Sequence, residues 1–66
     1  MSSHESITIS PLHIDKVGAY HCVVTREGHV AVGGDTHEIA DGESFLFVRS
    51  GITAKRSGSL YTFSRN

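Results

Sequence analysis

From Tyr20 to Arg65 the chain is a succession of short β-branched and aromatic runs, each cut by a glycine-bearing turn. The turns are Arg26-Glu27-Gly28, Gly33-Gly34, Asp41-Gly42, Ser50-Gly51 and Ser57-Gly58. No segment carries a 3.6-residue apolar period, so no helix is predicted. Short strands at regular spacing between such turns predict an all-β fold: a small antiparallel sandwich or half-barrel. Residues 19–25, 29–32, 35–39, 44–49, 52–56 and 60–65 read as strands, rich in Val, Ile, Phe, Tyr and Thr. Before Tyr20 the pattern is weaker. Ile7-Thr8-Ile9 alternates as a short strand, Pro11 marks an edge or bend, and residues 12–15 form either an extended piece or one helical turn. Residues 1–5 are polar and expected either to fray or to be tied to a neighbour.

Gly33-Gly34 is the strongest hairpin signal, because glycine reaches the positive φ that two-residue hairpin turns require. A two-residue loop there sets Val32 opposite Asp35, Val30 opposite His37 and His29 opposite Glu38. Side chains alternate along a strand, so Val30, Val32, His37 and Ile39 share one face. The Glu27-Gly28 turn is expected to bring His21, Val23 and Thr25 to that same face, leaving His29 and Glu38 as a pair on the other. Phe45 and Phe47 share a face with Leu46 and Val48 opposite, so the strand over 44–49 reads as buried on both sides.

Size sharpens this expectation. Sixty-six residues form a single domain, 1–66. So short a chain buries only about 60% of the surface its unfolded form exposes. Domains of this size commonly rely on disulfides, a metal or partner subunits. One cysteine, Cys22, permits no internal disulfide, and a lone thiol without a secretory signal places the chain in a reducing, cytoplasmic setting. Partner subunits are therefore expected to complete the fold, giving a homo-oligomer whose neighbours cover the Phe and Val side chains. A formal net charge of −1 points to no global field for nucleic acid or membrane, and no apolar run reaches a membrane span.

Of five histidines, His13, His21, His29 and His37 fall at equal spacing. Imidazole is the commonest metal ligand, and the expected register makes His21 and His37 the best pair. A site needs three or four converging ligands, and the chain has no His-x-His, Cys–His cluster or His-Glu-x-x-His. No metal or other cofactor is assigned, and His21 and His37 remain weak candidates. With Thr25 and Thr36 they are the candidate ligand-binding residues. Serines, histidines and aspartates are all present, yet no Ser sits on a strand-to-helix elbow and no carboxylate pair is set for acid–base work. No enzyme is predicted. Four of the six basic residues, Arg49, Lys55, Arg56 and Arg65, lie in the C-terminal third beside Tyr61 and Phe63. In a ring of subunits Lys55, Arg56 and Arg49 would repeat as a basic track for single-stranded RNA.

Arg26-Glu27-Gly28-His29-Val30-Ala31-Val32 and Asp41-Gly42-Glu43-Ser44-Phe45-Leu46-Phe47-Val48-Arg49-Ser50-Gly51 resemble one half of a cupin-like domain. The likeness is to the N-terminal regulatory domain of AraC-type activators of type III secretion, across about two thirds of the chain. It implies a non-enzymatic regulatory module. With no counterpart of the DNA-binding helices, such a module would act through a small ligand or a protein partner. A metal-dependent cupin-like enzyme is the less favoured implication, since the His-x-His is missing. Asp35-Thr36, Asp41-Gly42-Glu43 and Lys55-Arg56-Ser57-Gly58-Ser59-Leu60-Tyr61 with Arg65 are also similar to the tryptophan-sensing RNA-binding attenuation protein. That family forms rings of short all-β chains, and the likeness implies RNA contacts at Lys55 and Arg56. The leading expectation is a homo-oligomeric binding or regulatory module. An RNA-binding ring and a small inhibitor from a phage or mobile element stand as alternatives.

Overall fold

The computed structural model describes residues 5–65, which form eight strands in two antiparallel four-stranded sheets, with no helix among them. The strands are β1 (Glu5–Ile9), β2 (His13–Val17), β3 (Tyr20–Val24), β4 (His29–Val32), β5 (Asp35–Glu38), β6 (Ser44–Phe47), β7 (Ile52–Ser57) and β8 (Leu60–Arg65). One sheet runs β1-β8-β7-β6 and the other β2-β3-β4-β5. The chain crosses between sheets twice, at 10–12 and at 39–43. No helix among the described residues is long and apolar enough to cross a membrane.

Glycine does what the turns require. Gly33 and Gly34 have φ of +57° and +96°, the two positive values of a type I′ turn, and β4 and β5 pair in the expected register. The preceding hairpin departs from expectation. Thr25 N–H donates to the His29 carbonyl, and Gly28 N–H donates back to the Thr25 carbonyl at 3.1 Å. The loop is thus the three residues Arg26-Glu27-Gly28, a turn closed by Gly28 at φ +86°. That loop length puts Cys22 opposite Val32 and Val24 opposite Val30. The expected inward set of His21, Val23 and Thr25 is therefore corrected: Cys22 and Val24 point inward, and a one-residue slip turns every side chain over.

Residues 12–15, left open between extended and helical forms, belong mostly to β2, which pairs with β3 from His13↔Val24 to Val17↔Tyr20. Of the N-terminal residues expected to fray or to be tied to a neighbour, 1–4 lie outside the described residues. Glu5 instead starts β1 and meets Arg65, whose Nη2 donates to its Oε1 at 2.9 Å. The Glu5 Oε2 accepts from Gly18 N–H at 3.2 Å, tying the β2–β3 turn to the other sheet.

The core lies between the sheets. Val17, Cys22, Val24, Val30, Val32 and Ile39 meet Ile9, Phe47, Ile52, Ala54, Tyr61 and Phe63, and all of these are buried within one chain. Two consequences correct the sequence reading. The buried side chains Val17, Val24, Val30, Val32, Phe47 and Phe63 are covered by the opposite sheet of the same chain, whereas the sequence reading had looked to a neighbouring molecule for that cover. The strand over 44–49 is not buried on both sides: β6 ends at Phe47, Leu46 is 51% exposed, and Val48 sits in the following turn at 82%.

Candidate functional site

Strands β4 and β5, with the residue that follows β3, build a polar row on the outer face of the β2–β5 sheet. Thr25 lies beside His29 at the end of the β3–β4 hairpin, and His29 lies opposite Glu38. Thr36, opposite Ala31, follows on the same face one pair further along β5. The His29 Nε2 is 3.3 Å from Glu38 Oε2, the pair expected from the alternation of β4 and β5. The Thr25 hydroxyl oxygen accepts the His29 backbone N–H at 3.0 Å. Thr25, His29, Thr36, His37 and Glu38 surround a hollow of about 360 Å³.

His37 belongs to the other face of β5, opposite Val30. It lies at the margin of the sandwich, where its ring stacks on Phe45 at 3.6 Å between centroids and 11° between planes. Phe45 in turn meets Phe47 edge-on at 4.9 Å. Beyond this stack, Asp35, Phe45, Leu46, Phe47, Val48 and Arg49 line a second hollow of about 440 Å³ at the open end between β5 and β6. The Arg49 Nε is 3.7 Å from Asp35 Oδ2 at its rim.

Of the four expected ligand-binding residues, the structure brings Thr25, Thr36 and His37 together. His21 falls outside the hollow. It pairs with Lys16 on the outer face, away from His37, so the expected His21–His37 pair does not form. The reason is the three-residue loop that turned β3 over. Among the described residues no three His, Cys, Asp or Glu side chains converge as metal ligands would. Sequence reasoning had His29 and Glu38 as a pair but not as part of the site. The signal was there, because the expected register puts Glu38 two residues from Thr36 on one face, with His29 opposite Glu38 and diagonal to Thr36.

The three basic candidates separate. Lys55 is exposed on the outer face of the β1–β8–β7–β6 sheet, opposite Thr62 and Ser44. Arg56 points the other way and is half-buried: its Nη1 donates to the Ile39 carbonyl at 3.1 Å, its Nε to the Gly58 carbonyl at 2.8 Å, and its guanidinium sits 5.5 Å from the centre of the Tyr61 ring. Arg49 stands in the turn after β6. Within one chain these three form no continuous track.

Against known protein families, curated proteins and solved structures, this chain finds no match.

Proposed function

We propose that this chain is a non-enzymatic, homo-oligomeric binding module that takes a small polar ligand beside β4 and β5, where Thr25, His29, Thr36 and Glu38 of the outer face meet His37 at the sheet margin. The observation that carries the reading is the convergence of Thr25, from the β3–β4 connection, with His29, Thr36, His37 and Glu38 of the type I′ β4–β5 hairpin around one hollow. Two hydroxyls, two imidazoles and a carboxylate offer donors and acceptors of both kinds, as sites for small polar ligands do. A ligand carrying a hydroxyl or amine donor suits Glu38, and an acceptor on the same molecule suits Thr36.

The arrangement supports binding over catalysis. A nucleophile–base–carboxylate relay needs the hydroxyl on the imidazole. Here the Thr25 hydroxyl is bonded to the His29 backbone N–H, and the imidazole faces Glu38. The proposed setting is the cytoplasm, where the single buried thiol of Cys22 stays reduced.

The test is a thermal-shift panel of amines, amino acids, polyols and nucleotides on the full chain, repeated on Glu38→Gln and Thr36→Val. A binding module gives at least one compound class that raises Tm, with the rise lost in both variants. A panel that leaves every melt unmoved, or a rise that survives both substitutions, overturns the site.

A further inference from the structure

We propose that the free edge of β6 is a self-association surface, on which a second copy of this chain adds its own β6 antiparallel to the first. This rests on the homo-oligomeric reading above and names the surface that performs it.

The four edge strands are not alike. On β1 the edge carries Glu5 and packs against β2; β2 carries Asp15 and Lys16, and β5 carries Asp35 and Glu38. Charges of this kind guard a sheet edge against pairing with another chain. The edge strand β6, Ser-Phe-Leu-Phe, has none.

Its backbone is poised for a partner. The Arg56 N–H donates to the Glu43 carbonyl at 3.0 Å. Antiparallel ladders alternate, so Phe45 and Phe47 turn their N–H and C=O groups toward β7, and Ser44 and Leu46 turn theirs to the open edge. Beside that edge stand the exposed Leu46 and Val48 side chains and the 440 Å³ hollow. Apolar side chains flanking unpaired backbone donors and acceptors match an added strand.

The occupant that fits is the chain itself, because the ends of the strand carry opposite charge. Glu43, whose Oε1 accepts the Ala40 N–H at 3.1 Å, immediately precedes β6, and Arg49, exposed and 3.7 Å from Asp35 Oδ2, lies just beyond it, so each charge keeps a contact within its own chain while facing the partner. Two copies set antiparallel bring each Glu43 beside the partner subunit's Arg49. Parallel pairing sets Arg49 against Arg49. Charge complementarity therefore selects the two-fold arrangement, which closes as a dimer and joins two four-stranded sheets into one across the axis.

Sedimentation equilibrium on the full chain tests this, with circular dichroism melts confirming that each variant folds. The wild-type chain is expected at twice its monomer mass. Leu46→Lys and Glu43→Arg should each raise the dimer dissociation constant about tenfold or more, equivalent to about 1.4 kcal/mol. The charge-exchanged double variant, Glu43→Arg with Arg49→Glu, should recover most of that loss. Ile14→Lys, on the outer face of the other sheet, should leave association unchanged. A dimer insensitive to all β6 variants, or one lost only in Ile14→Lys, overturns the β6 edge and leaves self-association standing. A wild-type chain that stays single at high concentration overturns self-association itself. Should Leu46→Lys fail to fold, the exposed charge series decides alone.

Discussion

The imidazole of His37 lies flat on the ring of Phe45, 3.6 Å between centroids, so one side chain of the β2–β5 sheet rests directly on one of the β1–β8–β7–β6 sheet at the sandwich margin. This contact stands between the two hollows and holds β5 in place relative to β6. Stacked pairs of this kind contribute about 0.5–1.5 kcal/mol beyond their buried area. A double-mutant cycle of His37→Ala and Phe45→Ala, read by urea unfolding, should return a coupling in that range. A cycle that closes at zero would show that the rings merely neighbour one another.

Arg56 should matter for stability rather than for contact with an anion. It bonds two carbonyls, of Ile39 and Gly58, and covers the Tyr61 ring, so it pins the 39–43 crossover to the β7–β8 hairpin. Hydrogen bonds from a charged donor contribute about 1.5–3 kcal/mol. Arg56→Ala should lower the unfolding free energy by about that much. Arg56→Lys should recover only part of it, because an ammonium cannot serve two carbonyls in the fixed geometry of the guanidinium fork. Chemical denaturation of both variants checks this; equal stability of Arg56→Lys and wild type would contradict it.

Gly28 is expected to resist substitution more than Gly51. Both have positive φ, +86° and +73°, and so both carry the left-handed penalty of about 1–2 kcal/mol for a side chain. Only at Gly28 would a Cβ also meet a neighbour, the Tyr61 hydroxyl at 2.9 Å, whereas nothing lies within 4 Å at Gly51. Gly28→Ala should lower Tm clearly more than Gly51→Ala in parallel melts. The reverse order would mean that Tyr61 moves aside freely.

Burial pushes the Cys22 thiol from its ordinary value of 9.0 up to about 11, a backbone hydrogen bond at Val17 opposing and the Asp15 carboxylate adding. The unfolded chain sheds this proton first. The folded state therefore binds more protons between these two values, and stability falls as pH rises through that window. Its contribution is fully present below pH 9.0 and lost as pH passes about 11. Urea unfolding across this range should show a decline that is shallower in Cys22→Ala, and parallel declines would place the cause in other groups. The same burial predicts slow reaction of the native thiol with a disulfide reagent and fast reaction after unfolding.

Sequence and structure divide along a physical line. What a turn controls was legible in the residues themselves. Two consecutive glycines demand a type I′ loop, and the β4–β5 register, including His29 opposite Glu38, follows from that loop alone. The all-β class came from the same glycine punctuation, and the grouping of Phe45 with Phe47 from the two-residue alternation of a strand. Tertiary structure decided the rest. A glycine-closed loop of two, three or four residues looks alike on paper, and the choice of three turned His21 away from His37 and Cys22 toward the core. Arg56 read as a free cation because the carbonyls it serves are 17 and two residues distant, and only folding brings the former near. The core closes within one chain for a like reason: a strand pattern specifies which side chains share a face, but what covers that face depends on how two sheets stack, and no local spacing encodes the stacking.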